Sequence, residues 1–385
     1  MILNKIVKAI KIRRSVFLNY KANKSKSQLR DFNFDTSEIV IFDLRNNGMG
    51  RYYYPLIYSF YLKGYSILLV DNYQFIGNCY NKDAFIFDIP KLLIKKAEDL
   101  VKFDNQNLIF ISDNADSLFS KARKFKINFD VFSDFKAIGS RLFPFPMAHD
   151  SYHQELFKEV DLLRDNQRKV RVFFSGNLEG GNYLNPFLTT FFNVLTRPEA
   201  IDIIKYTVNK ESISYISNSS DYEVFDSNTY VNKIFLTEWT WSVKNKSGDL
   251  NSRIDNSKWL RMLSKTDFFL CLPGTRIPHC HNLIETMSVG TIPILEYGSL
   301  MFPALEHMEN CIAFSGKEDL ISKINMVLNM SDQEIARIRK NVIHYYENYL
   351  KPECFIANIE HMDSGDLYMI ASGKSAEIKL SKTHS

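Results

Sequence analysis

Residues Thr266 to Tyr297, TDFFLCLPGTRIPHCHNLIETMSVGTIPILEY, decide how this chain is read. The apolar run Asp267 to Leu272 predicts a buried strand. Pro273-Gly274 turns the chain into a cationic loop ending at His281. A helix is expected from Asn282 to Val289, Gly290 stops it, and Thr291 to Leu295 reads as a second strand. Neither run alternates with polar residues, so both strands are expected to be covered on both faces, as in a parallel sheet flanked by helices. Ligands of such sheets bind beyond the strand carboxyl ends, which places the loop and the helix start where chemistry is expected.

Working outward, the alternation continues in both directions. Glu38 to Leu44 predicts a strand, followed by Arg45-Asn-Asn-Gly-Met-Gly-Arg51, a helix through Leu62 and a strand from Tyr65 to Val70. Gly48 and Gly50 permit a tight turn into a helix N-terminus, but they do not complete GxGxxG and do not make a dinucleotide fingerprint. Ala84 to Ile89 continues the pattern as a strand, then a helix near Lys91 to Val101 and a strand Asn107 to Ser112. A basic helix over Leu118 to Lys126 and a strand near Asn128 to Phe132 complete it. The prolines of RLFPFP (141–146) and a charged helix, Glu155 to Arg168, read as an interdomain connection. Lys169 to Ser175 opens a second alternating set. The last long helix, capped by Ser331 and Glu334, presents Ile335, Ile338, Val342, Tyr345 and Tyr349 on one face. Four parts follow: a basic amphipathic arm (1–30), an N-terminal Rossmann-like domain (31–155), a C-terminal Rossmann-like domain (156–350) and a C-terminal tail (351–385) that reads as polar and loosely held from about residue 364.

FFLCLPG, LIETMSVGTIPIL and the earlier RVFFSGN resemble the donor-binding part of GT-B glycosyltransferases, and most of all their exostosin-like branch. The likeness runs from Arg171 to Val289 and a little beyond. It implies an α/β fold of two Rossmann-like domains facing a cleft, with a nucleotide sugar held mainly by the second domain and an acceptor by the first.

Length and composition agree with two domains. The chain has 385 residues, 30 Phe and 20 Tyr, enough for sizeable cores. Five cysteines, widely spaced and without a CxxC pair, point to a reduced compartment with neither a disulfide framework nor a zinc site. No apolar run approaches the ~18 residues of a membrane span, and basic residues interrupt the N-terminus too often for a signal peptide. The chain is therefore expected to be cytoplasmic and complete. Residues 1–30 carry nine Lys or Arg and no Asp or Glu, while the whole chain is +4, so the remainder is −5. Ile2, Ile6, Val7 and Ile10 recur at helical spacing among these cations. Three readings stand together: residues 1–20 as a helix on the anionic inner face of a membrane, as an amphipathic helix docked on its own domain, or as a solvated basic arm. Nucleic acid is disfavoured because the basic excess stops at the arm.

The resemblance implies that Glu285, one turn into the helix, accepts ribose hydroxyls. A plain N-terminal carboxylate favouring the helix dipole is the bland alternative. Departure of a nucleoside phosphate needs fixed positive charge and donors, which Arg276, His279 and His281 could supply from the loop. The retaining subclass carries a second glutamate eight residues earlier; here Ile277 stands there. Gly176 and Asn177 end the first strand of the second domain, where backbone can approach a phosphate. Lys244 and Arg253 are further phosphate candidates. Glu238 is a candidate for sugar hydroxyls, and Trp239 and Trp241 for stacking. Arg45, Asn47, Gly48 and Arg51 form the acceptor-side loop. The acceptor base is sought among Asp43, Asp71, Asp113 and His149, with Asp43 first because strand-end carboxylates face the site. No Asp-x-Asp tripeptide occurs, so no metal is expected and no cofactor beyond the co-substrate. The expected activity is transfer of a sugar from a nucleotide-sugar donor to an oligosaccharide or lipid-linked glycan acceptor. The Lys-, Asn-, Ile- and Phe-rich composition fits a bacterium making capsule or lipopolysaccharide. A nucleotide-sugar epimerase or hydrolase of the same shape, or a non-catalytic nucleotide-sugar-binding subunit, are the alternatives.

Overall fold

A computed structural model describes residues 2–28, 38–114, 119–183, 186–239 and 253–383. The chain divides into two compact units, each α/β and each built on a six-stranded, wholly parallel sheet. Unit 1 comprises Met1–Pro144 and Pro352–Ala371; unit 2 comprises Phe145–Lys351 and Ser372–Ser385.

Unit 1 begins with α1 (Ile2–Gln28). Its strands are β1 (Ile39–Asp43), β2 (Ser66–Val70), β3 (Leu92–Lys95), β4 (Ile109–Ser112), β5 (Arg123–Asn128) and, from the far end of the chain, β12 (Gly365–Tyr368). Their order, β3-β2-β1-β4-β5-β12, is that of a doubly wound α/β fold. The central strands β1, β2 and β4 are buried along their whole length, as their unbroken apolar runs require. Between β1 and β2 lies α2 (Gly50–Leu62), and α3 (Tyr73–Asn78) follows β2. At Gly48 the chain adopts φ +71°, which a side chain would strain. At Gly50 an added Cβ would stand 2.5 Å from the Asp83 carbonyl oxygen.

Unit 2 contains α4 (His149–His153), then β6 (Val170–Asn177), α5 (Arg197–Thr207), β7 (Ile213–Ile216), β8 (Val231–Trp239), α6 (Asn256–Leu263), β9 (Thr266–Leu270), α7 (His281–Ser288), β10 (Ile292–Leu295), β11 (Ile312–Ala313) and α8 (Asp332–Tyr345). Its sheet runs β7-β8-β6-β9-β10-β11. The second and third strands are exchanged relative to unit 1, so the long β8 pairs with β6 through Asn177↔Trp239 while the short β7 takes the edge. The strand-loop-helix-strand unit expected at Thr266–Tyr297 is present with its boundaries shifted by a residue or two. The buried face expected of α8 is formed by Ile335, Ile338, Val342 and Tyr345, whereas Tyr349 is exposed.

Four expectations are corrected. The division falls at Pro144/Phe145 rather than near 155, because α4 and the following turns pack within unit 2. Ala84–Ile89 lies in a 3-10 segment (Asn81–Asp88), and β3 forms where a helix was expected. Arg123–Asn128 is a strand although its lysines read as a basic helix; pairing with both β4 and β12 overrides local propensity.

The fourth correction concerns the tail. Residues 352–371 return to unit 1 as α9 (Pro352–Glu360) and β12, and Leu367 is fully buried. Arg123 secures the return by donating from Nη1 to the carbonyls of Ile359, Glu360 and Met362, at 3.3, 2.8 and 3.2 Å. A cation there satisfies helix-end carbonyls and suits the negative end of the dipole. Tyr65 adds a hydrogen bond from its hydroxyl to Glu360 Oε1 at 3.0 Å. Replacement Leu367→Ala is therefore expected to lower stability by about 2–4 kcal/mol in chemical denaturation. An unchanged unfolding midpoint would mean that β12 does not belong to the sheet in solution.

Candidate functional site

In unit 2 the connections of the sheet diverge between β6 and β9, and a cavity of about 220 Å³ lies at the carboxyl ends of this pair. The end of β6 supplies Ser175, Gly176 and Asn177 to its wall. The start of α7 supplies Cys280, His281 and Glu285, and α6 supplies Trp259. The volume is below the roughly 300–1,000 Å³ of ordinary ligand clefts, so it encloses part of a ligand rather than all of a nucleotide sugar.

Arg197 is the cation in this wall. It is the first residue of α5 and only 4% exposed, yet among the described residues no carboxylate pairs with it. Its guanidinium donates to the carbonyls of Asn177 at 3.3 Å and Pro273 at 3.1 Å, and lies over the Tyr183 ring at 4.3 Å. Nε is buried without a partner. Gly176 makes the approach possible, because a Cβ there would meet Arg197 Nη1 at 3.0 Å and the Phe174 ring at 2.9 Å. Sequence reasoning missed this residue. One signal was present: a cation in the first turn opposes the helix dipole, and the local conflict asks for an anion nearby. Glu199 offsets part of it by taking the Thr196 backbone N–H and hydroxyl at 2.8 and 2.6 Å.

Glu285 faces the same cavity and is 2% exposed. Its Oε1 accepts from the Ala148 backbone N–H at 3.0 Å and the Ser151 hydroxyl at 3.2 Å; its Oε2 accepts from Trp259 Nε1 at 2.7 Å. Three protein donors use most of the roughly four acceptor sites of a carboxylate. Glu285 thus ties the start of α4 and the middle of α6 to α7 while retaining capacity for about one further donor.

The loop residues separate. Buried His279 donates from Nε2 to the Leu300 carbonyl at 2.7 Å, and burial lowers its pKa to about 4, so it is neutral near pH 7 and no phosphate cation. His281 lines the cavity. It donates from Nδ1 to the Pro146 carbonyl at 2.8 Å, which in the neutral ring leaves the lone pair on Nε2. His149 packs edge-on against it at 5.3 Å. Arg276 does not join the cavity. It is exposed and pairs with Glu377 of the C-terminal helix Ser372–Thr383 at 3.4 Å, whereas the buried cation of the cavity wall is Arg197. Exposed Arg253 lines the cavity, and Asn177 turns its side-chain oxygen to the Glu179 N–H at 3.0 Å. Glu238 ends β8 outside the cavity wall, paired with Lys205 at 2.7 Å. Lys244 and Trp241 lie outside the described residues, and only the backbone of Trp239 is described.

At the corresponding divergence in unit 1, between β1 and β4, carboxylates of the chain itself occupy the donors. Asp113 accepts from the backbone N–H of Arg45 at 2.9 Å, of Asn46 at 2.8 Å and from the Tyr53 hydroxyl at 2.7 Å. Burial, reinforced by Asp113, raises the Tyr53 pKa and keeps its proton in place. Asp83 accepts from Arg51 N–H at 2.7 Å at the N-terminus of α2. Asp43 pairs with Arg45 Nη2 at 2.9 Å. Asn47 and Gly48 are exposed, and Arg51 lies over the Tyr52 ring at 4.9 Å. Asp71 is committed to Tyr20 and Lys24 of α1. The loop 45–51 is therefore a structured turn, with Asp113 as its anchor.

No family model and no curated protein matches the sequence. Among solved structures the chain is similar to a glycosyltransferase from Rickettsia africae, with 10% identity over 84% of this chain and 97% of that one, at a TM-score of 0.44. It is similar to Anabaena HepE in complex with UDP, with 12% identity over 84% and 99% at 0.43. A third is WaaG, a glycosyltransferase involved in lipopolysaccharide biosynthesis, with 11% identity over 84% and 99% at 0.34. At such scores the likenesses are distant.

Two outcomes follow from the site geometry. Glu285→Ala leaves three donors without their acceptor and is expected to cost about 2–4 kcal/mol of stability with no ligand present; a change within the error of calorimetry would contradict the bonding described. Because the His279 pKa is lowered on folding, the unfolded chain binds the extra proton between pH 6.5 and about 4. Stability contributed by the neutral ring is then lost as pH falls through that window, by up to about 3 kcal/mol. His279→Gln is expected to flatten this limb of a pH series of denaturation curves, and a limb identical to wild type would assign the loss to other groups.

Proposed function

We propose that the chain is a glycosyltransferase whose unit 2 binds a nucleotide-sugar donor in the Arg197–Glu285 cavity. The observation that carries this reading is a buried guanidinium without a carboxylate partner among the described residues, facing the same small cavity as a buried glutamate at the divergence of a parallel sheet. Diphosphate supplies the missing negative charge, and Arg197 with Arg253 stabilises the charge that grows on it as the glycosidic bond breaks. Guanidinium groups meet that charge, so the reaction is proposed to run without a metal. The remaining acceptor capacity of Glu285 suits one hydroxyl of the ribose or sugar, a smaller role than a carboxylate binding two hydroxyls.

The acceptor is a surface glycan of capsule or lipopolysaccharide type, handled by unit 1 at the inner face of the cell membrane. Asp43 is kept as its base, because the Arg45 side chain that covers it is half exposed and able to swing away, whereas Asp113 is committed to its loop.

Calorimetric titration with UDP, GDP, CMP, ADP and dTDP, each with its sugar and its parent nucleoside, tests the reading. One nucleotide is expected to bind, adding about 2.7 kcal/mol of stability at 100 times its dissociation constant. Arg253→Ala, at an exposed position, should weaken it several-fold, and Arg197→Met by roughly 100-fold, while the parent nucleoside binds both variants as it binds wild type. Silence towards every nucleotide would sink the proposal. Sugar release without acceptor would favour the hydrolase or epimerase, and binding without turnover for any acceptor would favour the non-catalytic subunit.

A further inference from the structure

α1 has two faces with different fates. Val16, Asn19, Tyr20, Asn23 and Ser27 fall within about 100° of arc at 100° per residue, and this face docks on unit 1. Asn23 Nδ2 donates to the carbonyls of Ile76 and Cys79, both at 3.0 Å, and Asn19 Nδ2 to that of Gly77 at 3.3 Å. Gly77 leaves room for the helix, since a Cβ there would meet Val16 Cγ1 at 2.6 Å. Lys24 and Lys26, near the C-terminal end, pair with Asp71 and Asp88.

The opposite arc holds Val7, Ile10, Lys11, Arg14, Phe17, Leu18 and Lys21. Its four apolar side chains are 43%, 60%, 44% and 53% exposed, and the cations between them are exposed as well. Among the described residues, Lys11, Arg14 and Lys21 form no ion pair; Lys21 lies over the Phe17 ring at 4.5 Å. Residues 2–28 contain no acid to balance them.

We propose that this outward face of α1 lies flat on an anionic phospholipid surface, with Ile10, Phe17 and Leu18 among the acyl-chain ends and Lys11, Arg14 and Lys21 against headgroup phosphates. The mixture of residue types selects this occupant. The core of a protein-docking face is depleted of lysine, whereas here cations interleave with the apolar side chains. Nucleic acid would engage the cations and leave the aliphatic groups in water. A bilayer interface takes both at once. Among the described residues no helix is long and apolar enough to cross a membrane, so the contact is in-plane. The proposal goes beyond the donor-site reading and does not depend on it.

The test is co-sedimentation of the full chain with vesicles of phosphatidylcholine alone or with about one third phosphatidylglycerol, at low and high salt. Binding to the anionic vesicles only, weakened by salt, is expected. The triple variant Lys11→Glu/Arg14→Glu/Lys21→Glu should bind at least 10-fold less, and Ile10→Ser/Phe17→Ser/Leu18→Ser should lose binding with its melting temperature unchanged. In Phe17→Trp, fluorescence should shift to the blue on anionic vesicles. Absence of vesicle binding, anionic binding unaffected by the charge variant, a salt-sensitive duplex-DNA affinity exceeding that for vesicles, or burial of the face in a dimer of the full chain would each overturn the proposal.

Discussion

The arrangement around the cavity depends on one buried carboxylate. Glu285 accepts hydrogen bonds from Ala148, Ser151 and Trp259, and so draws together segments that are far apart in sequence. A buried carboxylate is tolerable only where donors replace its water, and these three do so. The same bonds set the start of α4 and fix Trp259 against the pocket. The shape of the cavity and the stability of the fold are therefore coupled through one residue, so any effect on binding of replacing it has to be read against its loss of stability.

The two sheets use their points of divergence differently. Unit 1 answers its own donors: Asp83 meets the N-terminus of α2, and Asp113 meets two loop amides and Tyr53. An anionic ligand there would have to displace a carboxylate. Unit 2 does the reverse, burying Arg197 on carbonyls and an aromatic face, with no acid paired to it among the described residues. Burying an unpaired charge is costly, and an anion beside it would offset that cost. This difference, more than the shared architecture, is what supports the proposal of an anionic donor in unit 2.

Backbone return is the other organising feature. The chain leaves unit 1 at Pro144, builds unit 2, and comes back at Pro352 to add α9 and β12. Arg123, on the strand that β12 joins, closes the helix end with three carbonyl bonds. A strand that reads as basic and exposed is thus an interior strand whose arginine has work at its far neighbour.

Sequence alone determined the layered α/β class, the strand-loop-helix-strand unit at Thr266–Tyr297 and three positions that line the cavity, Gly176, His281 and Glu285, because these follow from short apolar runs and glycine turns that act locally. It also located the basic helix, since charge and spacing are visible in one dimension. Only tertiary structure decided that Arg197 rather than Arg276 supplies the buried charge, that His279 is neutral, that residues 365–368 are a strand and that Arg123–Asn128 is one too. Each of those outcomes depends on partners distant in sequence: the carbonyls of Asn177 and Pro273, the shell around His279, and the strands that border β5. Burial, charge compensation and strand pairing are properties of neighbours in space, and a chain read in order does not contain them.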